Sequence, residues 1–288
     1  MVQYKCRSCG GEMEIGSSGS LICPYCGSKG FMTDADFNEN EQFRKKLLEY
    51  FKASAQNKEF DYESDTLWKC NGEESYTTVS GQSLSVQYMY KYYYGKATCY
   101  LARESVVYVF DDIEARSAFM RGLNRLIFPA ADAKLHRCFP NIKMEIDLEG
   151  GKAVSVFVRR PHFYPVELFA PLQSEHLAWV ISRMENICCA FEYAGITHGG
   201  ICETSIWINP ITHEGAIFGD WSGVKDMRVG EDLKSLRRLA IKLAQNANHP
   251  IEMYSFLIEP PLKDAFADFE KWDEVINKGF GGHRFIKM

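Results

Sequence analysis

The chain has 288 residues, 46% of them apolar and 25% charged, with a formal net charge of −5. That composition supplies core for one large domain or two smaller ones, and it excludes a disordered or fibrous chain and a globally basic nucleic-acid binder. No apolar run reaches the ~18 residues that span a bilayer, and Met1-Val2-Gln3-Tyr4-Lys5-Cys6 lacks the apolar stretch of a signal peptide, so the expectation is a cytoplasmic protein without a membrane partner.

Ten cysteines in a chain without an export signal argue against a disulfide framework. Four fall early, as Cys6-x2-Cys9 and Cys23-x2-Cys26, separated by 13 residues. Each pair offers two thiolates from one tight turn, and four thiolates complete a tetrahedral zinc shell with no open position. Gly10, Gly11 and Gly27 follow the pairs, and 13–22 reads as two short strands around Gly16-Ser17-Ser18-Gly19. Residues 1–35 resemble a zinc ribbon, which implies structural Zn2+ on Cys6, Cys9, Cys23 and Cys26. A redox reading of Cys-x2-Cys needs a βαβ setting, which two pairs at ribbon spacing do not offer. Lys5, Arg7 and Lys29 balance Glu12, Glu14 and Asp34, so the segment lacks the excess positive charge of a phosphate binder. Docking to a protein partner or structural support is favoured over nucleic acid.

Residues 36–75 read as a helix and linker. Phe43, Leu47, Leu48 and Phe51 recur at helical spacing, and 56–75 is polar with Asn57, Asn71 and Gly72 as breakers. In the remaining domain 76–110 is rich in Tyr, Val and Thr, with strands expected at 88–94, 97–102 and 106–110; 113–126 reads as a helix, and 143–148 with 153–158 as a hairpin around Gly150-Gly151. Helices are then expected at 174–194, where Leu177, Val180, Ile181, Met184, Ile187, Cys188 and Phe191 form one stripe, and at 231–245 and 263–278. Strands first and helices second define an α+β class.

After the long helix comes His198-Gly199-Gly200-Ile201-Cys202-Glu203-Thr204-Ser205, and further on Ala216-Ile217-Phe218-Gly219-Asp220. This pair resembles a protein-kinase catalytic loop followed by the strand that delivers a metal-binding carboxylate. The resemblance covers about residues 76–260. Phe139-Pro140-Asn141-Ile142 is similar to the turn before the fourth strand, 157–160 to the hinge, and Glu231-Asp232-Leu233 to the start of the large C-lobe helix. It implies a bilobal domain with a strand-rich N-lobe at 76–160 and a helical C-lobe at 161–288. His198 and Asp220 would be retained, and Asp232 would anchor the loop backbone.

The departures carry the functional expectation. Phosphotransfer needs a carboxylate on the attacking hydroxyl, an Asn for the second metal and a lysine on the α/β phosphates. The matching positions are Gly200, Ser205 and Phe110; no Gly-x-Gly-x-x-Gly is present, only Gly95, and Glu114 stands at the start of the helix that would offer a glutamate. The expectation is a zinc-binding pseudokinase-like scaffold or regulatory protein with no catalytic residues and a protein partner. An atypical ATP-dependent phosphotransferase or nucleotidyltransferase is the alternative. It would take ATP and magnesium on Asp220 and need a substitute lysine, Lys96, and a substitute base, Glu203 or Asp226. A nucleic-acid-associated adaptor is the second alternative, with Arg159-Arg160 and Arg237-Arg238 as its tight basic clusters, each expected to be solvated.

Overall fold

The computed structural model describes residues 13–15, 20–22, 24–25, 29–31, 34–56, 67–68, 72–129, 135–244, 249–284 and 288. The chain divides into two compact units, Met1–Arg116 with Ile142–Pro161 and Ser117–Asn141 with His162–Met288. Residues 117–141 therefore group with the helical second unit.

In the first unit β1 (Glu14–Ile15), β2 (Ser20–Ile22) and β3 (Lys29–Phe31) form an antiparallel sheet in that order, with Glu14 opposite Ile22 and Ser20 opposite Phe31. Cys6, Cys9, Cys23 and Cys26 lie outside the described residues. Helix α1 (Asp34–Gln56) follows. Phe43, Leu47 and Phe51 are buried, whereas Leu48 points outward. The Phe43 ring lies 6.2 Å from Trp68 and 6.3 Å from Tyr90.

Strands β4 (Gly72–Thr77) and β5 (Ser83–Tyr88) form a hairpin. Then β6 (Tyr90–Tyr94), β7 (Ala97–Leu101), β8 (Ser105–Phe110), helix α2 (Ile113–Leu123), β9 (Ile142–Asp147) and β10 (Ala153–Val158) build an antiparallel sheet of order β6-β7-β8-β10-β9. The strand expected over 88–94 breaks at Met89, whose N–H turns to Leu101 O at 2.9 Å. The hairpin covers one sheet face: Val86 and Tyr88 pack with Tyr100, Val107, Val109, Leu148 and Val154. Tyr92, Cys99, Tyr108, Phe110 and Phe157 fill the other face and are also buried. Two buried faces explain why Val106–Phe110 is continuously apolar rather than alternating. At the sheet edge Asn40 of α1 acts as one more strand residue. Its Nδ2 donates to Lys91 O at 2.8 Å and its Oδ1 accepts from Lys91 N at 3.1 Å.

In the second unit β11 (Tyr164–Pro165) leads into α3 (Ser174–Tyr193), β12 (Ile196–Thr197), β13 (Ile206–Asn209), β14 (Glu214–Ile217), β15 (Lys225–Asp226), α4 (Glu231–Leu243), α5 (Ile251–Ile258) and α6 (Ala265–Phe280). Two small antiparallel sheets, β11-β13-β14 and β12-β15, interrupt what the sequence reads as mainly helical. All seven stripe residues of α3 are buried, and Trp207, Trp221 and Trp272 are fully enclosed. The class is mixed α and β, with a strand-rich part and a helical part. No helix among the described residues is long and apolar enough to cross a membrane.

The two basic clusters differ from the solvated arginines expected. Arg159 is buried, donates from Nη1 to Arg103 O at 2.7 Å and lies 4.4 Å over the Trp68 ring. Arg237 is buried on the apolar stripe of α4, with Nη2 2.7 Å from both carboxylate oxygens of Asp268, Nη1 2.8 Å from Phe256 O, and its guanidinium 4.0 Å over the Phe256 ring. A planar fork suits such pairing better than an ammonium. One arginine of each pair is thus buried and engaged, while Arg238 is exposed.

Candidate functional site

The 198–205 loop and the turn after β14 meet within the second unit. Asp232, in the first turn of α4, accepts from His198 N at 2.7 Å and from Gly199 N at 2.8 Å. One buried carboxylate thereby satisfies two backbone donors that would otherwise be orphaned. Burial pushes its pKa up while those same N–H bonds pull it back down.

His198 is fully buried. Its ring stacks on Phe191 at 5.5 Å and meets the edge of Trp221 at 4.6 Å. Nδ1 accepts from Gly200 N at 3.1 Å, which places the proton of the neutral ring on Nε2, and Nε2 has no hydrogen-bond partner among the described residues. Burial among aromatic rings lowers the pKa to about 3. A neutral ring so enclosed supports the loop and does not exchange protons near pH 7.

Gly200 sits against the other strand of the site. A methyl group there would lie 3.1 Å from His198 Cε1 and 3.4 Å from Asp220 O. Any side chain at 200, a carboxylate included, would crowd the ring and the carbonyl together. Gly219 has φ +74°, and a Cβ on it would come within 2.7 Å of Ser205 Cβ, so glycine is required on two counts.

Ser205 is buried and committed to its own loop. Its Oγ donates to Cys202 O at 3.0 Å and accepts from Cys202 N at 2.8 Å, and its carbonyl accepts from Phe218 N at 2.8 Å. Asp220 is half-exposed, and its Oδ1 caps the turn by accepting from Ser222 N at 2.9 Å. Among the described residues no group of three His, Cys, Asp or Glu side chains is arranged to hold a metal ion.

Phe110 belongs to the first unit. It ends β8 opposite Ala97 and Ala153, is buried, and stacks on Tyr108 at 6.1 Å. Lys96 pairs with Asp112 at 3.2 Å on the surface, Glu203 pairs with Lys242, and exposed Asp226 pairs with Arg125 at 2.6 Å. Glu114 is exposed. The α2 residue that reaches the sheet is Arg116, 2.7 Å from Asp147 of β9.

A buried network escaped the sequence reading. Fully enclosed Glu185 of α3 lies beside the Arg237–Asp268 pair. Burial, and then the Asp268 charge, push its carboxyl well above the ordinary range, which favours the protonated form. The available signal was a glutamate and an arginine inside otherwise apolar stripes, since buried charges are retained in pairs.

No protein-family model and no curated protein matches this sequence. Among solved structures the chain is similar to a crystal structure of WbdD, at 12% identity and TM-score 0.47 over 66% of this chain and 47% of that one. It is similar to WbdD co-crystallised with the kinase inhibitor LY294002, at 10% identity and TM-score 0.48 over 67% and 46%, and to monomeric WbdD, at 10% and 0.48 over 74% and 58%. The chain thus spans about half the length of the WbdD chains it matches.

Proposed function

We propose that this chain is a kinase-like protein without phosphotransfer activity, a pseudokinase used as a cytoplasmic scaffold or regulatory subunit for a protein partner. The observation that carries the reading is the contrast inside one loop. Asp232 still holds the His198 and Gly199 amides, while the position where a base would act is a glycine crowded by His198 and Asp220. Ser205, at the second-metal position, has both functions of its hydroxyl engaged by Cys202. The scaffold of such a loop is retained and its chemistry is not. Losing one positioning or charge-stabilising contact costs about 10²–10³ in rate, and such losses do not simply multiply.

The N-terminal segment is proposed as a four-cysteine zinc ribbon, on the two Cys-x2-Cys pairs that sit in sequence around β1, β2 and β3. Its zinc would be structural. The nucleic-acid alternative loses support because Arg159 and Arg237 are engaged internally. The phosphotransferase alternative would have to break the ion pairs of Lys96, Glu203 or Asp226 to recruit them.

The test is a radiolabelled-ATP assay with magnesium, scoring autophosphorylation, adenylylation and transfer to generic protein substrates, alongside a thermal-shift titration. The expected result is no label above background. Turnover that disappears in Asp220→Ala would overturn the proposal in favour of the phosphotransferase.

A further inference from the structure

A cavity of about 850 Å³ opens in the second unit, within the size range of small-molecule sites. None of His198, Gly200, Ser205, Asp220 and Asp232 lines it. Its floor is apolar, made by Ala178 and Trp179 of α3 and Phe269, Ile276 and Phe280 of α6. Its walls are held in place before any ligand arrives. Trp179 stacks on His213 at 4.4 Å with planes 5° apart, and His213 is set in a positive-φ turn at 54°. The His249 ring is fixed from both sides, with Nδ1 2.8 Å from Ser174 Oγ and Nε2 3.0 Å from Ala244 O. Because a carbonyl only accepts, Nε2 donates and the Ser174 hydroxyl donates to Nδ1 when the ring is neutral.

The charges at the rim are not equivalent. Arg183 is exposed, and its Nε donates to His213 O at 2.7 Å, which fixes the guanidinium while leaving its terminal amino groups as a fork. Arg284 adds a second guanidinium. The opposing carboxylates, Glu175 and Glu252, stand in the first turns of α3 and α5, where helix N-termini partly neutralise them. His283, also at the rim, is occupied with Asp273 at 3.2 Å. The lining thus sets two guanidiniums, that of Arg183 oriented by His213 O, against two carboxylates at helix N-termini.

We infer that this cavity binds a small aromatic carboxylate, with its ring against Trp179, Phe269 and Phe280 and its carboxylate on Arg183. The site is separate from the loop that holds His198, so it serves as a ligand input to a protein that need not turn over nucleotide. Isothermal titration of the whole chain with indole-3-acetate, indole and tryptamine tests it, because the three share a ring and differ in charge. Saturable binding in the order indole-3-acetate, indole, tryptamine is expected. Arg183→Ala should weaken indole-3-acetate at least about tenfold, as loss of a charge-assisted bond does, and leave indole unchanged. Phe280→Ala, at a half-exposed position, should weaken both. No saturable binding at millimolar probe, tryptamine binding tightest, or indole-3-acetate indifferent to Arg183→Ala would each overturn the inference.

Discussion

Gly122 of α2 packs so closely on Trp221 that a methyl group on it would lie 1.8 Å from the Trp221 carbonyl oxygen. The opposing atom is backbone and cannot rotate away, and it belongs to the turn that begins with Asp220. In an ordinary helix interior Gly→Ala gains about 1 kcal/mol. Here overpacking reverses the sign, and Gly122→Ala should cost about 2–3 kcal/mol. Thermal unfolding should show a drop of several degrees. Gly223→Ala, which meets nothing within 4 Å, should leave the transition in place; equal effects would dismiss the contact.

Acid sensitivity should trace to His198. Its folded pKa of about 3 lies below its ordinary 6.5. The stability that the neutral ring contributes is complete above pH 6.5 and drains as pH falls from there towards 3, at ~1.4 kcal/mol per pH unit. His198→Asn keeps an acceptor for the Gly200 amide and does not titrate. Denaturant unfolding at pH 7 and pH 5 should show wild type losing about 2 kcal/mol more than the variant. Parallel losses would mean that the ring titrates normally.

Glu185 should have the opposite signature. Its folded pKa is raised, so the stability carried by the protonated acid is complete below its ordinary 4.5 and is lost as pH rises through the folded value. Glu185→Gln is permanently neutral and close to the same shape. Its stability relative to wild type should climb as pH rises above the ordinary 4.5, and a flat difference would refute a raised Glu185 pKa. Asp268→Asn strands the Arg237 charge and should cost about 3–5 kcal/mol at pH 7.

Purified protein should contain one zinc per chain by elemental analysis, and Cys23→Ser should abolish it. Structural zinc contributes folding energy directly. The variant should lose protease resistance in residues 1–35 while the rest of the chain still unfolds cooperatively. A ratio near zero, or two disulfides between the four cysteines, would remove the ribbon.

The parts of the fold that were legible in sequence are those where one periodicity dominates. The stripe of α3 and the glycine-centred β9–β10 hairpin emerged with boundaries close to those expected because apolar spacing specifies them locally. Leu48 recurs with Phe43, Leu47 and Phe51 at helical spacing yet is exposed, because that spacing alone cannot say how wide the covered face is. Helix α5 escaped because Ile251–Ile258 is only eight residues long and mostly apolar, broken by Glu252 and Ser255, too short for helix and strand periods to separate. At the candidate site, order along the chain identified which residues to compare, but not what they touch. That Asp232 holds the His198 and Gly199 amides, or that Gly122 abuts Trp221, depends on contacts far apart in sequence, which no local pattern encodes.

Asn40 has a consequence for solubility. By holding the N–H and C=O of Lys91, it occupies the backbone groups through which β6 would otherwise recruit a foreign strand. Open sheet edges template aggregation unless something blunts them. A chain beginning at residue 72 would keep all five strands and lose that plug, so it should associate edge to edge where the full chain does not. Helix α1 is therefore a guard against self-association as well as a connector.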